Sequence, residues 1–450
     1  MRKMNRKVYY ILAVVLVIVS LFVASRLFAT NSPWIYLGSE DYRLVASGNG
    51  NFIVFNALQD IDARKIMEAR SGIMTDSGVE IMPEGKNTDI TYEEMRGNII
   101  PTLKFYGITK ENKLVELSKE DVFEVSFTYE SNWSENKFKI IRLHFGDEVI
   151  LSGAEPEFSS TCPSPDHTKY LLINMRGLWL LPVDKNDLAK ISADTYDGKT
   201  YNELRSELVA YWRSKGSDGP ASLWWNDSPI FSPDSTKIVY ITNRDCTTGG
   251  SSIWIYDFST NTESPLIKNK EGEYYNYDGW LDETQLVVRR YVQNKKSYLI
   301  VDTNGAIIPL NLEGGDPDIL SVSDKDIIAY RPKFSGSKEI IVAKINQDGT
   351  NTELYRKTID GALRMSKANL ISPDGTKIAY LFVSPTGEAD QNLAIAYLKN
   401  GKETVIEKAP KPGEIYDFAW LDSNRLLVYT RVVENGLQEI SSWIYNTEGG

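Results

Sequence analysis

The decapeptide Ile371-Ser-Pro-Asp-Gly-Thr-Lys-Ile-Ala-Tyr380 recurs as Phe231-Ser-Pro-Asp-Ser-Thr-Lys-Ile-Val-Tyr240, and more loosely as Pro163-Ser-Pro-Asp-His-Thr-Lys-Tyr-Leu-Leu172. Each copy has a short apolar approach, a Pro-Asp turn, then a run of alternating apolar and β-branched residues, which reads as strand, tight turn, strand. Three degenerate copies extend the series: Trp280-Leu-Asp-Glu-Thr-Gln-Leu-Val-Val288, Val322-Ser-Asp-Lys-Asp-Ile-Ile-Ala-Tyr330 and Trp420-Leu-Asp-Ser-Asn-Arg-Leu-Leu-Val-Tyr429. The turn aspartates are Asp166, Asp234, Asp282, Asp324, Asp374 and Asp422. After a first interval of 68 residues they lie 42 to 50 apart, close to the roughly 40–50 residues of one four-stranded propeller blade.

The remaining strands of a unit follow from alternation. Ser252-Ile-Trp-Ile-Tyr-Asp257 puts Ile253 and Ile255 on one face and Trp254 and Tyr256 on the other. Short outer strands are expected at 264–268, 352–356 and 403–407. Four strands per unit, repeated radially, predict an all-β chain folded as a β-propeller. Six motifs make six four-stranded blades the most economical count. The last unit lacks an outer strand before Gly450, and the β-prone run Asp147-Glu-Val-Ile-Leu-Ser152 is expected to supply it, so that no long edge stays unpaired.

Residues 147–450 resemble the propeller repeats of the TolB-like family, which also form the non-catalytic propeller of prolyl-oligopeptidase-type enzymes. The resemblance rests on Ser-Pro-Asp at 164–166, 232–234 and 372–374. It implies a fold and leaves function open, because one scaffold hosts unrelated activities.

Residues 1–30 differ in kind from the rest. Arg2, Lys3, Arg6 and Lys7 precede an apolar run of 17 residues from Val8 to Ala24, which Leu27-Phe28-Ala29 lengthens. That run lies at the lower end of the roughly 17–25 residues that span a bilayer and exceeds a signal-peptide core of about 7–15. The expectation is an N-terminal transmembrane helix over residues 8–29 acting as a signal anchor, with the basic tip in the cytoplasm and the bulk of the chain outside. Cleavage near Ser25, releasing a secreted protein, is the alternative. Removing the five basic residues of this segment leaves 45 basic against 61 acidic residues, near −16. Such a body repels phosphate backbones, which argues against nucleic acid as a partner.

Residues 31–146 lack the repeat. A hairpin is expected at Tyr42–Ala46 and Asn51–Phe55, a short helix near Ala63–Arg70, and further strands at 102–108, 113–117, 122–129 and 137–145. This reads as a small β-module ahead of the propeller, with one or two diverged blades, for a total of seven or eight, as the alternative. Within 147–450, residues 185–222 form an insertion. Tyr201, Leu204, Leu208 and Tyr211/Trp212 recur at helical spacing there, so a helix is expected over 200–213, packed on the ring.

Few residues suggest catalysis. The two histidines, His144 and His167, read as a strand residue and an exposed turn residue. There is no His-Glu-x-x-His motif and no Gly-x-Ser-x-Gly elbow, and no hydrolase domain is expected after the ring. The turn aspartates lack the Asp-x-Asp-x-Asp-Gly spacing of a calcium loop, and capping of the turn backbone accounts for them. No metal or cofactor is expected. Cys162 and Cys246 fall on opposite rims of the expected blades, which argues against a disulfide.

Two patterns are candidates for ligand binding. Arg176, Arg244, Arg289, Arg290, Arg331 and Arg431 follow or end second strands in five of the six units, and so share one rim. Guanidinium groups there would suit a carboxylate or an acidic glycan; the plainer reading pairs each with an acid of a neighbouring blade. Trp224 and Trp225, with Tyr274, Tyr275, Tyr277 and Trp280, form an aromatic group that would either stack on sugars or pack between blades. The sequence therefore suggests a non-catalytic extracytoplasmic propeller that binds an envelope protein, peptide or glycan, with an enzyme acting on an anionic carbohydrate in the central funnel as the alternative.

Overall fold

The computed structural model describes residues 32–40, 42–48, 51–56, 104–127, 136–153, 160–174, 177–193, 195–216, 226–245, 250–270, 272–293, 295–333, 338–364, 369–383, 391–406, 409–410, 413–434 and 437–448. Among these residues, antiparallel strands build eight blades of a β-propeller. Blade 1 comprises Tyr42–Gly48, Asn51–Asn56, Lys104–Ile108 and Leu114–Leu117. Blade 2 comprises Asp121–Phe127, Asn136–Phe145 and Glu148–Gly153. Blades 3 to 7 begin at Ser160–Pro163, Asn226–Phe231, Glu273–Trp280, Asp318–Ser323 and Ala362–Arg364, each with three further strands. Blade 8 is built from Glu414–Trp420, Arg425–Glu434, Leu437–Asn446 and, as its outer strand, Trp34–Gly38.

The six expected blades are present as blades 3 to 8, and two more precede them. The separate β-module is thus replaced by the alternative of diverged blades: the hairpin at Tyr42–Gly48 and Asn51–Asn56 is the start of blade 1. The closing strand is also not the expected one. Glu148–Gly153 pairs with Asn136–Phe145 inside blade 2. The ring is closed instead by Trp34–Gly38, with Trp34 opposite Tyr445 and Tyr36 opposite Trp443. Aromatic contacts fix that register: Trp34 meets the Tyr445 ring edge-on at 4.9 Å and Trp443 at 5.9 Å, and Tyr36 lies 4.7 Å from Trp443.

Both faces of a blade are apolar because both are covered. In Ser252–Asp257, Ile253 and Ile255 pack with Leu286, Val288 and Val301 of blade 5. Trp254 and Tyr256 pack with Leu171, Ile173 and Leu178 of blade 3. The ring closes in the same way, since Tyr42, Phe52 and Ile108 of blade 1 share a cluster with Leu427, Tyr429 and Ile444 of blade 8. Each such side chain contributes about 1.5–3 kcal/mol on burial.

The Ser-Pro-Asp turns form one of the two rims. The buried hydroxyls of Ser164, Ser232 and Ser372 donate to Asp166, Asp234 and Asp374 at 2.5, 2.5 and 2.7 Å, and each carboxylate accepts the N–H of the following threonine at 3.1 Å. The next backbone position is left-handed, at φ 56° for His167, 61° for Ser235 and 70° for Gly375. The motif lysine then reaches the adjacent blade: Lys377 Nζ donates to the Ser423 carbonyl at 2.8 Å and to Asn424 Oδ1 at 2.9 Å.

The insertion forms the expected helix, α1, over Tyr201–Ser214. Thr200 and Glu203 close a reciprocal capping box at its start, and Leu204 and Leu208 are its buried residues. The helix near Ala63–Arg70 and the apolar segment 8–29 lie outside the described residues, among which no helix is long and apolar enough to cross a membrane.

Candidate functional site

Each four-stranded blade runs inner strand, turn, second strand, so the start of the inner strand and the end of the second strand share the rim opposite the Ser-Pro-Asp turns. On this rim, an acid that opens an inner strand recurrently faces an arginine near the end of the second. Asp318 is opposite Arg331 and Glu414 opposite Arg431. Blade 5 varies the device, with Glu273 opening the strand and Arg290 two residues short of direct opposition.

The pairs are charge-assisted and directional. Arg290 grips Glu273 with two bonds, Nε to Oε2 at 3.0 Å and Nη2 to Oε1 at 2.7 Å. Tyr275 donates its hydroxyl to the same carboxylate, and burial together with that contact pushes the phenol up to about 12. Arg331 reaches Asp318 Oδ2 at 3.0 and 2.8 Å, and Arg431 Nε reaches Glu414 Oε2 at 3.0 Å. Gln391 of blade 7 donates to the other oxygen of Glu414 at 2.9 Å, tying blades 7 and 8. Arg142, opposite Asp121 in blade 2, lies instead at the turn rim: it joins Asp121 at 2.6 Å and the carbonyl of Val183 at 2.7 Å, and the Val183 N–H donates to the Thr168 carbonyl in the blade 3 turn.

The expected rim arginines therefore divide. Arg289, Arg290, Arg331 and Arg431 gather on the rim, each held by an acid of its own blade rather than of a neighbour. Arg290 and Arg431 keep 34% of their side-chain surface exposed. Arg244 is placed differently. Its side chain is 1% exposed and lies 3.9 Å from the centre of the Trp254 ring. Its guanidinium holds both oxygens of Glu263, at 2.7 and 2.6 Å. Glu263 also accepts the Tyr240 hydroxyl at 2.6 Å and the Ala193 N–H at 2.8 Å. Arg244 thus anchors the insertion to blade 4, where Tyr196 meets Trp254 edge-on at 5.6 Å. Arg176, Trp224 and Trp225 lie outside the described residues.

The rest of the aromatic group also divides. Tyr275, Tyr277 and Trp280 are buried between blades 4 and 5, whereas Tyr274 is 58% exposed on the rim. Val433, 62% exposed, stands on the same rim at the end of the second strand of blade 8.

Arg43 is a rim residue that the arginine pattern misses, because it belongs to an inner strand. It lies 4.4 Å from the Tyr429 ring centre, donates to the Tyr416 hydroxyl at 2.7 Å and pairs with Asp417 at 3.4 Å. Tyr416 is flanked on its other side by Arg431, at 5.4 Å. The inner-strand acids were equally unmarked; their signal is an Asp or Glu 13 to 17 residues ahead of the arginine.

Between blades 5 and 6 the inner strands bring together two buried carboxylates. Asp278 is bound by Arg289 and Asp318 by Arg331, while Lys296 bridges from blade 5 to Asp318 at 3.4 Å. Burial pushes the Asp278 carboxyl up, and the Asp318 charge adds to this against the pull of Arg289. The Tyr298 hydroxyl donates to the Pro317 carbonyl at 3.3 Å and accepts the Ile319 N–H at 3.2 Å. Among the described residues no three His, Cys, Asp or Glu side chains converge as a metal site needs. Cys162 carries a free thiol.

No family model matches this chain, and no curated protein matches it. Solved structures with similar folds include TolB from Acinetobacter baumannii, 14% identical over 73% of this chain and 80% of that one, with a TM-score of 0.33. An oligogalacturonate lyase from Vibrio parahaemolyticus is 12% identical over 73% and 98%, with a TM-score of 0.44. A prolyl endopeptidase is 12% identical over 69% of this chain and 47% of its own, with a TM-score of 0.44. These likenesses carry no argument about activity.

Proposed function

We propose that this chain is a non-catalytic binding propeller that holds an extracytoplasmic protein, peptide or glycan on its arginine rim. One observation carries the reading: Arg43, Arg289, Arg290, Arg331 and Arg431, drawn from blades 1, 5, 6 and 8, gather on one rim in fixed orientations beside the exposed Tyr274 and Val433. Arginine and tyrosine are the side chains most enriched where binding energy concentrates. Arginines already held by carboxylates lose little freedom when a partner docks.

The test is crosslinking capture from detergent-solubilised membranes with three forms of the full chain. A partner retained by the unmodified chain and by a turn-rim variant, Glu111→Lys, but lost by Tyr274→Ala with Arg290→Ala, supports the reading. Equal capture by all three overturns it.

A second reading, an enzyme acting on an anionic carbohydrate, is favoured by Asp278, whose carboxyl is shifted toward the protonated form beside Arg289 and Tyr298 in an inner-strand position. Incubation with polyuronates tests it. New chain ends produced by the unmodified protein and abolished in Asp278→Asn would replace the binding reading, and their absence removes the enzyme.

A further inference from the structure

We propose that the propeller stands on the membrane by its Ser-Pro-Asp turn rim, so that the arginine rim faces away from the bilayer. This rests on the anchor expected in residues 8–29, and it deepens the binding reading by stating the side from which a partner must approach.

Strand direction decides the matter. Inner strands run from the arginine rim to the turn rim, second strands run back, third strands run down again, and outer strands start at the turn rim. In blade 8 the outer strand is Trp34–Gly38, antiparallel to Leu437–Asn446, with Trp34 opposite Tyr445 and Gly38 opposite Ser442. The Pro33 carbonyl accepts the Asn446 N–H at 2.7 Å, and the Thr447 N–H donates to the Asn424 carbonyl at 2.8 Å. The polypeptide therefore arrives from its N-terminal segment at the turn rim, beside the turn of blade 8.

The tether is short. Only Thr30, Asn31 and Ser32 separate Ala29 from Pro33, a reach of about 10 Å when fully extended. Counted from Ala24, the eight intervening residues span at most about 28 Å, which is the height of an eight-residue strand, about 27 Å. Bringing the arginine rim to the lipid would use that whole length along the outside of blade 8 and leave nothing to reach the headgroups.

On the turn rim Lys169 pairs with Asp166 at 3.2 Å, and Arg425 with Asp422 at 2.8 Å. Arg425 reaches across to Asn112 of blade 1 at 2.7 Å, so the rim near the tether is braced on both sides.

The test uses the full chain with Cys162→Ala and Cys246→Ala, reconstituted into phosphatidylcholine/phosphatidylglycerol vesicles containing nitroxide-headgroup lipid. A fluorophore is attached to single cysteines introduced by Glu111→Cys or Glu448→Cys on the turn rim, and by Val433→Cys or Lys295→Cys on the arginine rim. All four positions are exposed. Quenching at least twofold greater at 111 and 448 than at 433 and 295 is expected. Equal or reversed quenching in protein that floats with the vesicles overturns the orientation alone. Failure to float removes the anchor and this proposal together. Loss of partner capture by the rim variants, measured separately, bears only on the binding reading.

Discussion

Glu263→Gln is the sharpest probe of how the arginines divide. The carboxylate takes four hydrogen bonds, two from Arg244 and one each from Tyr240 and Ala193, in a site where Arg244 is 1% exposed. Removing one partner of a buried pair costs about 3–5 kcal/mol, because the other charge is stranded. Two features reduce that here. The amide oxygen of glutamine still accepts one bond, and the Trp254 face supports the guanidinium by up to about 2 kcal/mol. The expected loss is therefore about 2–3 kcal/mol, read as a lower urea midpoint at unchanged slope, with faster amide exchange around Ala193. By contrast, Glu313→Gln should cost under about 0.5 kcal/mol, because its pair with Arg356 is solvent-exposed. An apolar replacement of both partners, Arg244→Met with Glu263→Leu, should be more stable than either single change. A Glu263→Gln loss no larger than that of Glu313→Gln, or a double variant no better than the singles, would refute the assignment of Arg244 as a buried tie.

Three further outcomes follow from the same geometry. Burial alone would raise the Asp166 carboxyl, but the hydrogen bonds from Ser164, Thr168 and Lys169 outweigh it and bring the group down to about 2; Asp234 and Asp374 are lowered in the same way. A depressed folded value means this stability is present above the ordinary carboxylate range and lost as pH falls through that range toward 2, so acid unfolding followed by circular dichroism should become shallower in the triple variant Asp166→Asn/Asp234→Asn/Asp374→Asn. Lys377→Met should cost about 1–3 kcal/mol, since the Ser423 carbonyl and Asn424 lose their shared donor, with raised amide exchange confined to blades 7 and 8. Deleting residues 34–38 should expose Leu437–Asn446 as an unpaired edge and produce concentration-dependent association in sedimentation, and a monomer of unchanged stability would contradict closure by that strand.

The sequence carried the repeat wherever its turn chemistry was intact. Ser-Pro-Asp-x-Thr-Lys marks blades 3, 4 and 7 because a buried serine, a capping aspartate and a left-handed fourth position are all needed there. Weaker copies at Asp282 and Asp422 still cap two backbone N–H groups each. Blade 1 was hidden because its second and third strands are separated by residues 57–103. The closing strand was hidden because five residues are too few to show a period.

The arginine rim was half legible, for a reason of register. Position near the end of a second strand was readable, but the partner was not, because bulges between Tyr277 and Gly279, Ile319 and Ser321, and Ile415 and Asp417 set which acid comes opposite. Arg331 is the last residue of its strand and meets the acid that opens the inner strand. Arg244 lies two residues beyond Thr242, where its strand ends, and turns toward Glu263 of the outer strand, where it is covered. A displacement of two residues along the chain thus separates a guanidinium that a partner can touch from one that only the fold can use. Moving the blade 4 arginine into the strand, with Thr242→Arg and Arg244→Thr, should shift it to the rim at the cost of the tie to Glu263. Stability falling as in Glu263→Gln while the new arginine becomes accessible to phenylglyoxal is the expected result, and protection of that arginine from the reagent would show that strand position does not govern its fate.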